Sequence, residues 1–136
     1  MKYTELTKQI ENNVNNFPMA FAFSNKQLEE AKIKLGVTDN SELFSIPSGG
    51  IIKKTDKLAL KEMTKRNMEL ETEFLKVPSQ LKDAFIYELA NHEYCITYDY
   101  QETLDAIGLK FEELTKEQLI ILNEARAEYL VNVENY

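Results

Sequence analysis

Helix start and stop signals recur along most of this chain, and they limit its fold more than any other feature. Residues 24–27 and 115–118 each begin with a hydroxyl side chain and place Gln three positions later, the pattern of an N-terminal capping box. Gly36 and Gly108 follow periodic apolar runs, where glycine commonly ends a helix in the left-handed conformation. With the break at Pro78, these signals predict five or six helices, most of them short.

A small β element is expected within residues 20–53, where the least helical stretch is residues 41–52. Two short apolar runs at 43–46 and 50–53 flank a Pro-Ser-Gly-Gly turn, which predicts an antiparallel β-hairpin. The apolar residues 21–23 are the candidate for a third strand. We therefore expect the α+β class: a mostly helical single domain over residues 1–136 with a small antiparallel hairpin or three-stranded sheet.

The composition limits the class of protein. The chain has 136 residues, of which 43% are hydrophobic and 29% are charged, proportions typical of a folded domain. No apolar run approaches the roughly 20 residues of a membrane-spanning helix. The first residues lack the apolar region of a signal peptide, and a single Cys excludes an internal disulfide. We expect a cytoplasmic protein that does not bind membranes.

The net charge of −7 is distributed unevenly. Residues 1–68 carry eleven Lys/Arg and eight Asp/Glu, whereas residues 69–136 carry five and fifteen, a balance of −10. The net charge argues against direct nucleic-acid binding. The asymmetry is interpreted as two solvated faces, with a dipolar protein whose acidic half meets a basic partner as the alternative. The first half has a basic stripe, which comprises Lys54, Lys57, Lys61 and Lys65. We interpret it as a solvated helix face. The alternative is that it binds a phosphate or an acidic surface.

Residues 88–100 hold the only His and the only Cys of the chain. Ser79 is expected to cap the helix that carries Glu88 and His92, which are four positions apart and therefore neighbours. Such a pair can orient a catalytic base, contribute to a metal site or satisfy a half-buried histidine. Cys95, three positions after His92, is a weak candidate nucleophile. Because no further His or Cys has ligand spacing, the structural role is favoured, and neither metal nor cofactor is expected.

The same region is rich in tyrosine. Tyrosine rings suit the edge of a core and protein interfaces alike, and packing at the core edge is the more common use. If the cluster is exposed, tyrosines and carboxylates together would form a protein-binding patch; its predicted members are Tyr94, Tyr98, Tyr100, Glu93, Asp99 and Glu102.

Three segments carry a family resemblance: residues 21–28, residues 49–56, and residues 88–94 with the following Thr97-Tyr98-Asp99. They resemble an uncharacterised family of small proteins from Gram-positive bacteria, their phages and other mobile elements, over roughly residues 17–114. The resemblance brings no assigned activity. It implies a context in which small acidic proteins often bind host proteins, including defence nucleases.

Three functional hypotheses follow. The preferred one is a non-enzymatic protein of phage or mobile-element origin that binds a host protein, as an anti-CRISPR-like inhibitor whose acidic half occupies a basic channel. The second is a small hydrolase or ligand-binding enzyme centred on Glu88 and His92. The third is a homodimeric regulatory or structural subunit, in which the basic helix of one copy pairs with the acidic half of another.

Overall fold

The structure is a computed structural model that describes residues 1–134, apart from the side chain of Ser48. Within these residues, seven α-helices and one three-stranded antiparallel sheet confirm the α+β class. The helices are α1 Tyr3–Asn15, α2 Asn25–Leu35, α3 Lys57–Leu75, α4 Pro78–Asn91, α5 Tyr94–Thr97, α6 Gln101–Ile107 and α7 Lys116–Glu134. The strands are β1 Ala20–Phe21, β2 Leu43–Ser45 and β3 Gly50–Lys53. No helix in residues 1–134 is long and apolar enough to cross a membrane.

The chain divides into two compact units. The sheet unit is Lys8–Glu69, and the helical unit is Met1–Thr7 together with Leu70–Tyr136. The sheet unit carries ten Lys/Arg and eight Asp/Glu, a balance of +2, and the helical unit carries six and fifteen, a balance of −9. The acidic charge is therefore concentrated in one structural unit. A single domain over residues 1–136 stays a prediction.

The sheet unit is organised around β3, the central strand. β1 and β2 flank it, and both pair with it in antiparallel fashion, which confirms the predicted hairpin and its third strand. Helix α2 packs against the sheet through a small core of Ala20, Ala31, Leu35 and Ile51. Gly49, in the hairpin connection, has φ of 84°, a conformation that favours glycine, and a Cβ there would displace the exposed Phe23 ring.

The predicted caps of α2 are present. The Ser24 hydroxyl accepts a hydrogen bond from the Gln27 amide over 3.2 Å. The Gln27 side chain accepts one from the Phe23 amide, one residue before the expected position. At the other end, Gly36 has φ of 72° and donates its amide to the last turn of the helix. Local sequence therefore determines both ends of α2.

The helical unit is built on α4, which packs against α6 and α7. One side of α4 is fully buried through Leu81, Ala84, Phe85 and Leu89. The prediction that Ser79 caps α4 is wrong, because the helix begins at Pro78 with Val77 in the cap position. Proline suits the first helical position, where its missing amide would have no partner. The capping box of α7 is confirmed by reciprocal hydrogen bonds between Thr115 and Gln118.

Candidate functional site

The tyrosine-rich segment forms α5, a single helical turn between two residues in the left-handed conformation. Glu93, just before α5, has φ of 52°, and Tyr98, just after it, has φ of 53°. Non-glycine residues rarely adopt this conformation, so packing must hold the turn in place. The Tyr94 ring provides that packing, since it is 3% exposed. The Cys95 amide also donates a 3.1 Å hydrogen bond to the Tyr129 hydroxyl of α7.

The position of α5 changes the interpretation of Cys95. Helix α4 ends at Asn91, and His92 is its C-terminal cap, so His92 and Cys95 do not share a helix. The helical spacing that suggested a Cys95 nucleophile activated by His92 therefore does not apply. Cys95 is a half-buried free thiol.

Glu88 lies at the centre of a polar group, the Glu88 cluster, defined as Tyr3, Glu88, Asn91 and His92. Tyr3 and Glu88 are buried, His92 is half-buried and Asn91 is exposed. The Glu88 carboxylate is 5% exposed. It accepts hydrogen bonds from the Tyr3 hydroxyl over 2.9 Å and from the Asn91 amide over 3.3 Å. Burial, reinforced by the hydrogen bond to Glu88, raises the pKa of Tyr3 well above its usual value.

His92 lies between two carboxylates. Its Nε2 atom is 3.1 Å from a Glu88 oxygen, and its Nδ1 atom is 3.3 Å from a Glu102 oxygen. The Nε2 atom is buried, and its contact with Glu88 lacks the alignment of a hydrogen bond. Thr103 of α6 also donates to the carbonyl oxygen of Glu88. These contacts connect the C-terminal end of α4 to α6, and Glu102 of α6 helps to hold the His92 ring in place.

The geometry of the Glu88 cluster favours a structural role over catalysis. Both Glu88 oxygens already contact protein groups, and Glu88 is 5% exposed. Within residues 1–134, no three His, Cys, Asp or Glu side chains are arranged to hold a metal ion. Two open grooves of the helical unit, of about 590 and 370 Å³, are lined by none of the catalytic candidates Glu88, His92 and Cys95.

Three nearly parallel aromatic rings run from the core of the helical unit to its surface, and we call them the aromatic ladder: Tyr94, Tyr100 and Phe111. The Tyr94 and Tyr100 centroids are 4.8 Å apart at an interplanar angle of 16°. The Tyr100 and Phe111 centroids are 6.1 Å apart at 10°. Burial and a hydrogen bond with Tyr94 raise the pKa of Tyr100. Phe111, the outer ring, is 53% exposed.

An open groove of about 590 Å³ lies beside the outer part of this ladder, and we call it the aromatic–acidic groove. The α5–α6 connection, α6 and the segment before the 3₁₀ turn Phe111–Glu113 form its walls. Its lining combines aromatic rings with carboxylates, namely Tyr98, Tyr100, Phe111, Asp99, Asp105 and Glu112. Lys110 is the one cation among the lining residues that the structure describes.

A second groove of about 370 Å³ lies elsewhere in the helical unit, where Leu75, Leu81 and Ile121 supply much of its lining. It offers fewer aromatic and charged groups for recognition. In the sheet unit, the four lysines of the basic stripe are exposed, and the Lys57 ammonium lies 4.2 Å from the centroid of the Phe44 ring. Lys57 therefore has a local cation–π partner.

The structure separates the six residues that were predicted as an interface. Tyr98, Tyr100 and Asp99 line the aromatic–acidic groove. Tyr94 is buried and supports the ladder, because its ring packs against Tyr98, Tyr100 and Tyr129. Glu93 is exposed at the start of α5, and Glu102 contacts His92.

Sequence reasoning missed the outer aromatic ring of the groove and two of its carboxylates, namely Phe111, Asp105 and Glu112. A signal was present: Phe111 is an aromatic residue directly before two glutamates, shortly after the helix-ending Gly108. A large apolar side chain outside the helical periodicity is a candidate for a surface contact.

Comparisons with known proteins provide a family and no activity. Nothing matches the chain among the curated proteins or among the solved structures. A family model described as "Family of unknown function (DUF7659)" matches residues 2–127, nearly the whole chain. The resemblance to an uncharacterised family is confirmed to that extent, while its range in bacteria and phages stays a prediction. The chain belongs to the family of unknown function DUF7659.

Proposed function

We propose that this chain is a non-enzymatic binding protein whose acidic helical unit docks on a basic surface of a partner protein. The observation that carries the proposal is the aromatic–acidic groove, which lies in the unit with a charge balance of −9. Phe111 and Tyr98 are 53% and 65% exposed there, beside Asp99 and Glu112. Aromatic residues are enriched at protein interfaces, and an acidic field steers a basic partner toward them.

The Glu88 cluster supports binding over catalysis. Its carboxylate and imidazole are engaged with each other and with Tyr3, Asn91 and Glu102. The groups that remain available on the surface of the groove are aromatic rings and carboxylates, which recognise cations and apolar side chains.

A narrower form of the proposal concerns the partner. The resemblance to proteins of phages and mobile elements favours a host protein, and the acidic charge favours one that handles nucleic acid. An anti-defence inhibitor, comparable to an anti-CRISPR protein, would occupy a basic channel in place of the phosphate backbone. This form rests on the sequence resemblance and on the charge.

The test is affinity capture from a bacterial lysate with quantitative mass spectrometry. The bait proteins are the wild type, a groove triple variant (Asp99→Asn, Asp105→Asn, Glu112→Gln) and a control triple variant (Glu113→Gln, Glu117→Gln, Glu124→Gln). Both triples remove the same charge, and only the first changes the groove. We expect a protein with a basic surface to be captured by the wild type and the control and lost from the groove triple.

The same capture is repeated in about 1 M salt, where the screening length falls to about 3 Å and long-range attraction between charges is lost. We expect the captured protein to be released. If the groove triple captures the same proteins as the wild type, in amounts that salt does not change, the proposed docking surface is wrong.

A further inference from the structure

We infer that the aromatic–acidic groove binds an arginine side chain presented by the partner. This inference rests on the proposed function and names the group that the groove recognises. The occupant is a short protein segment with one arginine, whose guanidinium lies against the outer rings of the ladder while the groove carboxylates accept its hydrogen bonds.

The shape of the ladder suits a planar cation. Tyr100 and Phe111 are within 10° of parallel, and Phe111 is exposed over more than half of its surface. A guanidinium group is planar and stacks on aromatic faces, whereas the lysine ammonium is a compact, strongly hydrated point charge. Nearly parallel rings that end at the surface therefore favour arginine over lysine.

The charge of the groove complements a cation. Asp99, Asp105 and Glu112 line the groove, and Lys110 is the one described lining residue of opposite charge, which leaves an excess of two negative charges. One Asp99 oxygen already accepts a hydrogen bond from the Gln101 amide, so Asp105 and Glu112 are the freer acceptors. A carboxylate can accept two parallel hydrogen bonds from one guanidinium, a geometry that an ammonium cannot reproduce.

The guanidinium of Arg126, an exposed residue of α7, already lies over the innermost ring of the ladder. The Arg126 guanidinium carbon lies 5.8 Å from the centroid of the Tyr94 ring, within the roughly 6 Å range of a cation–π contact. Tyr94 is the innermost ring of the same stack. The exposed ring of Phe111 offers the same chemistry at the surface.

The volume of the groove also fits a short segment. About 590 Å³ lies within the range of roughly 300–1,000 Å³ that is usual for binding pockets. An arginine side chain with its neighbouring backbone is accommodated in such a space, and the open form of the groove lets a chain enter and leave.

The experiment is a nuclear magnetic resonance titration of the ¹⁵N-labelled full chain with an acetylated and amidated peptide of one central arginine flanked by glycines. The matched probe carries citrulline, which has the same shape as arginine and no charge, and a third peptide carries lysine. We expect amide shifts for Tyr100, Lys110 and Phe111 with the arginine peptide, and about tenfold weaker binding of the citrulline peptide.

Two pairs of variants locate the contact. Phe111→Leu keeps an apolar side chain and removes the ring face, whereas Phe23→Leu changes an exposed phenylalanine of the sheet unit. Glu112→Gln removes a groove carboxylate, and Glu113→Gln removes its neighbour outside the groove lining. We expect Phe111→Leu and Glu112→Gln each to weaken binding about three- to tenfold, and the two controls to leave it unchanged. Unchanged amide spectra outside the groove show that each variant is folded.

Equal binding of the citrulline or lysine peptide overturns the inference, and so does wild-type affinity in Phe111→Leu. If the arginine peptide does not bind while capture from lysate still depends on the groove carboxylates, the proposed function stands and the arginine assignment is wrong. If the peptide binds and the lysate yields no carboxylate-dependent partner, the groove recognises arginine and the proposed docking on a partner protein is wrong.

Discussion

At the scale of single residues, the buried Glu88 carboxylate depends on groups that arrive from distant parts of the sequence. A buried carboxylate is costly unless hydrogen bonds replace its lost hydration. The Tyr3 hydroxyl donates one of these bonds, although Tyr3 and Glu88 are 85 residues apart. Asn91 and His92, from the next turn of the same helix, supply the other contacts.

Replacing Tyr3 with phenylalanine removes one donor to a buried charge and leaves the ring packing in place. We expect Tyr3→Phe to lower the free energy of unfolding by about 2 kcal/mol at neutral pH, the usual size for a hydrogen bond to a charged group. Urea denaturation followed by circular dichroism measures the change. Tyr98→Phe is the control, because the Tyr98 ring is 65% exposed and should give almost no change. An equal loss in both variants would contradict the assignment.

Tyr3 also makes the stability depend on pH in the alkaline range. Burial and the hydrogen bond to Glu88 raise its folded-state pKa above the unfolded value of about 10. Its contribution is therefore fully present below about pH 10 and is lost as the pH rises toward the folded-state pKa. We expect wild-type stability to fall more steeply than that of Tyr3→Phe as the pH rises above about 10. Parallel pH profiles for the two proteins would be evidence against the raised pKa.

At the scale of elements, the sequence predicted the helix ends and turns that are determined locally, and it missed the helix that depends on packing. The capping boxes at Ser24 and Thr115, the left-handed Gly36 and the hairpin all follow from short-range chemistry. Helix α5 has no such signal, because its two left-handed residues are Glu93 and Tyr98 rather than glycines. Packing of the Tyr94 ring there overrides the preference of non-glycine residues against the left-handed conformation. The same ring supports Tyr100, which lines the aromatic–acidic groove.

The left-handed conformation of Glu93 predicts that glycine is more stable than alanine at this position, the reverse of their order within a helix. A side chain costs about 1–2 kcal/mol in this conformation, and glycine avoids that cost but loses more entropy on folding. We expect Glu93→Gly to be about 0.5–1 kcal/mol more stable than Glu93→Ala in urea denaturation. At Glu124, in the middle of α7, the order should reverse, with glycine about 1 kcal/mol less stable than alanine. If alanine is more stable than glycine at both positions, Glu93 is not strained.

At the scale of the whole molecule, charge and structure divide the chain at nearly the same place. The helical unit has a balance of −9, and the sheet unit has +2. Their boundaries at residues 7/8 and 69/70 fall inside α1 and α3. Domain boundaries usually fall in flexible, polar linkers, whereas a continuous helix couples the residues on either side of a boundary. The helical boundaries therefore favour the single cooperative domain that the sequence analysis expects.

The distribution of tyrosine allows the cooperative unfolding of the two units to be measured. The chain has seven Tyr and no Trp, and all seven Tyr lie in the helical unit. Tyrosine fluorescence therefore reports on the helical unit alone, whereas far-ultraviolet circular dichroism reports on the helices of both units. In urea we expect both signals to give one transition with the same midpoint, the standard sign of two-state unfolding.

A proline at the boundary within α3 tests the cause of that cooperativity. Glu69→Pro breaks the helix at a cost of about 3 kcal/mol, and we expect it to separate the fluorescence and dichroism midpoints. Glu69→Ala keeps the helix and should preserve one shared midpoint. Separate midpoints already in the wild type would instead identify the acidic helical unit as an independently folding domain. The helical unit could then be expressed without the sheet unit, and the arginine peptide titrated against it alone.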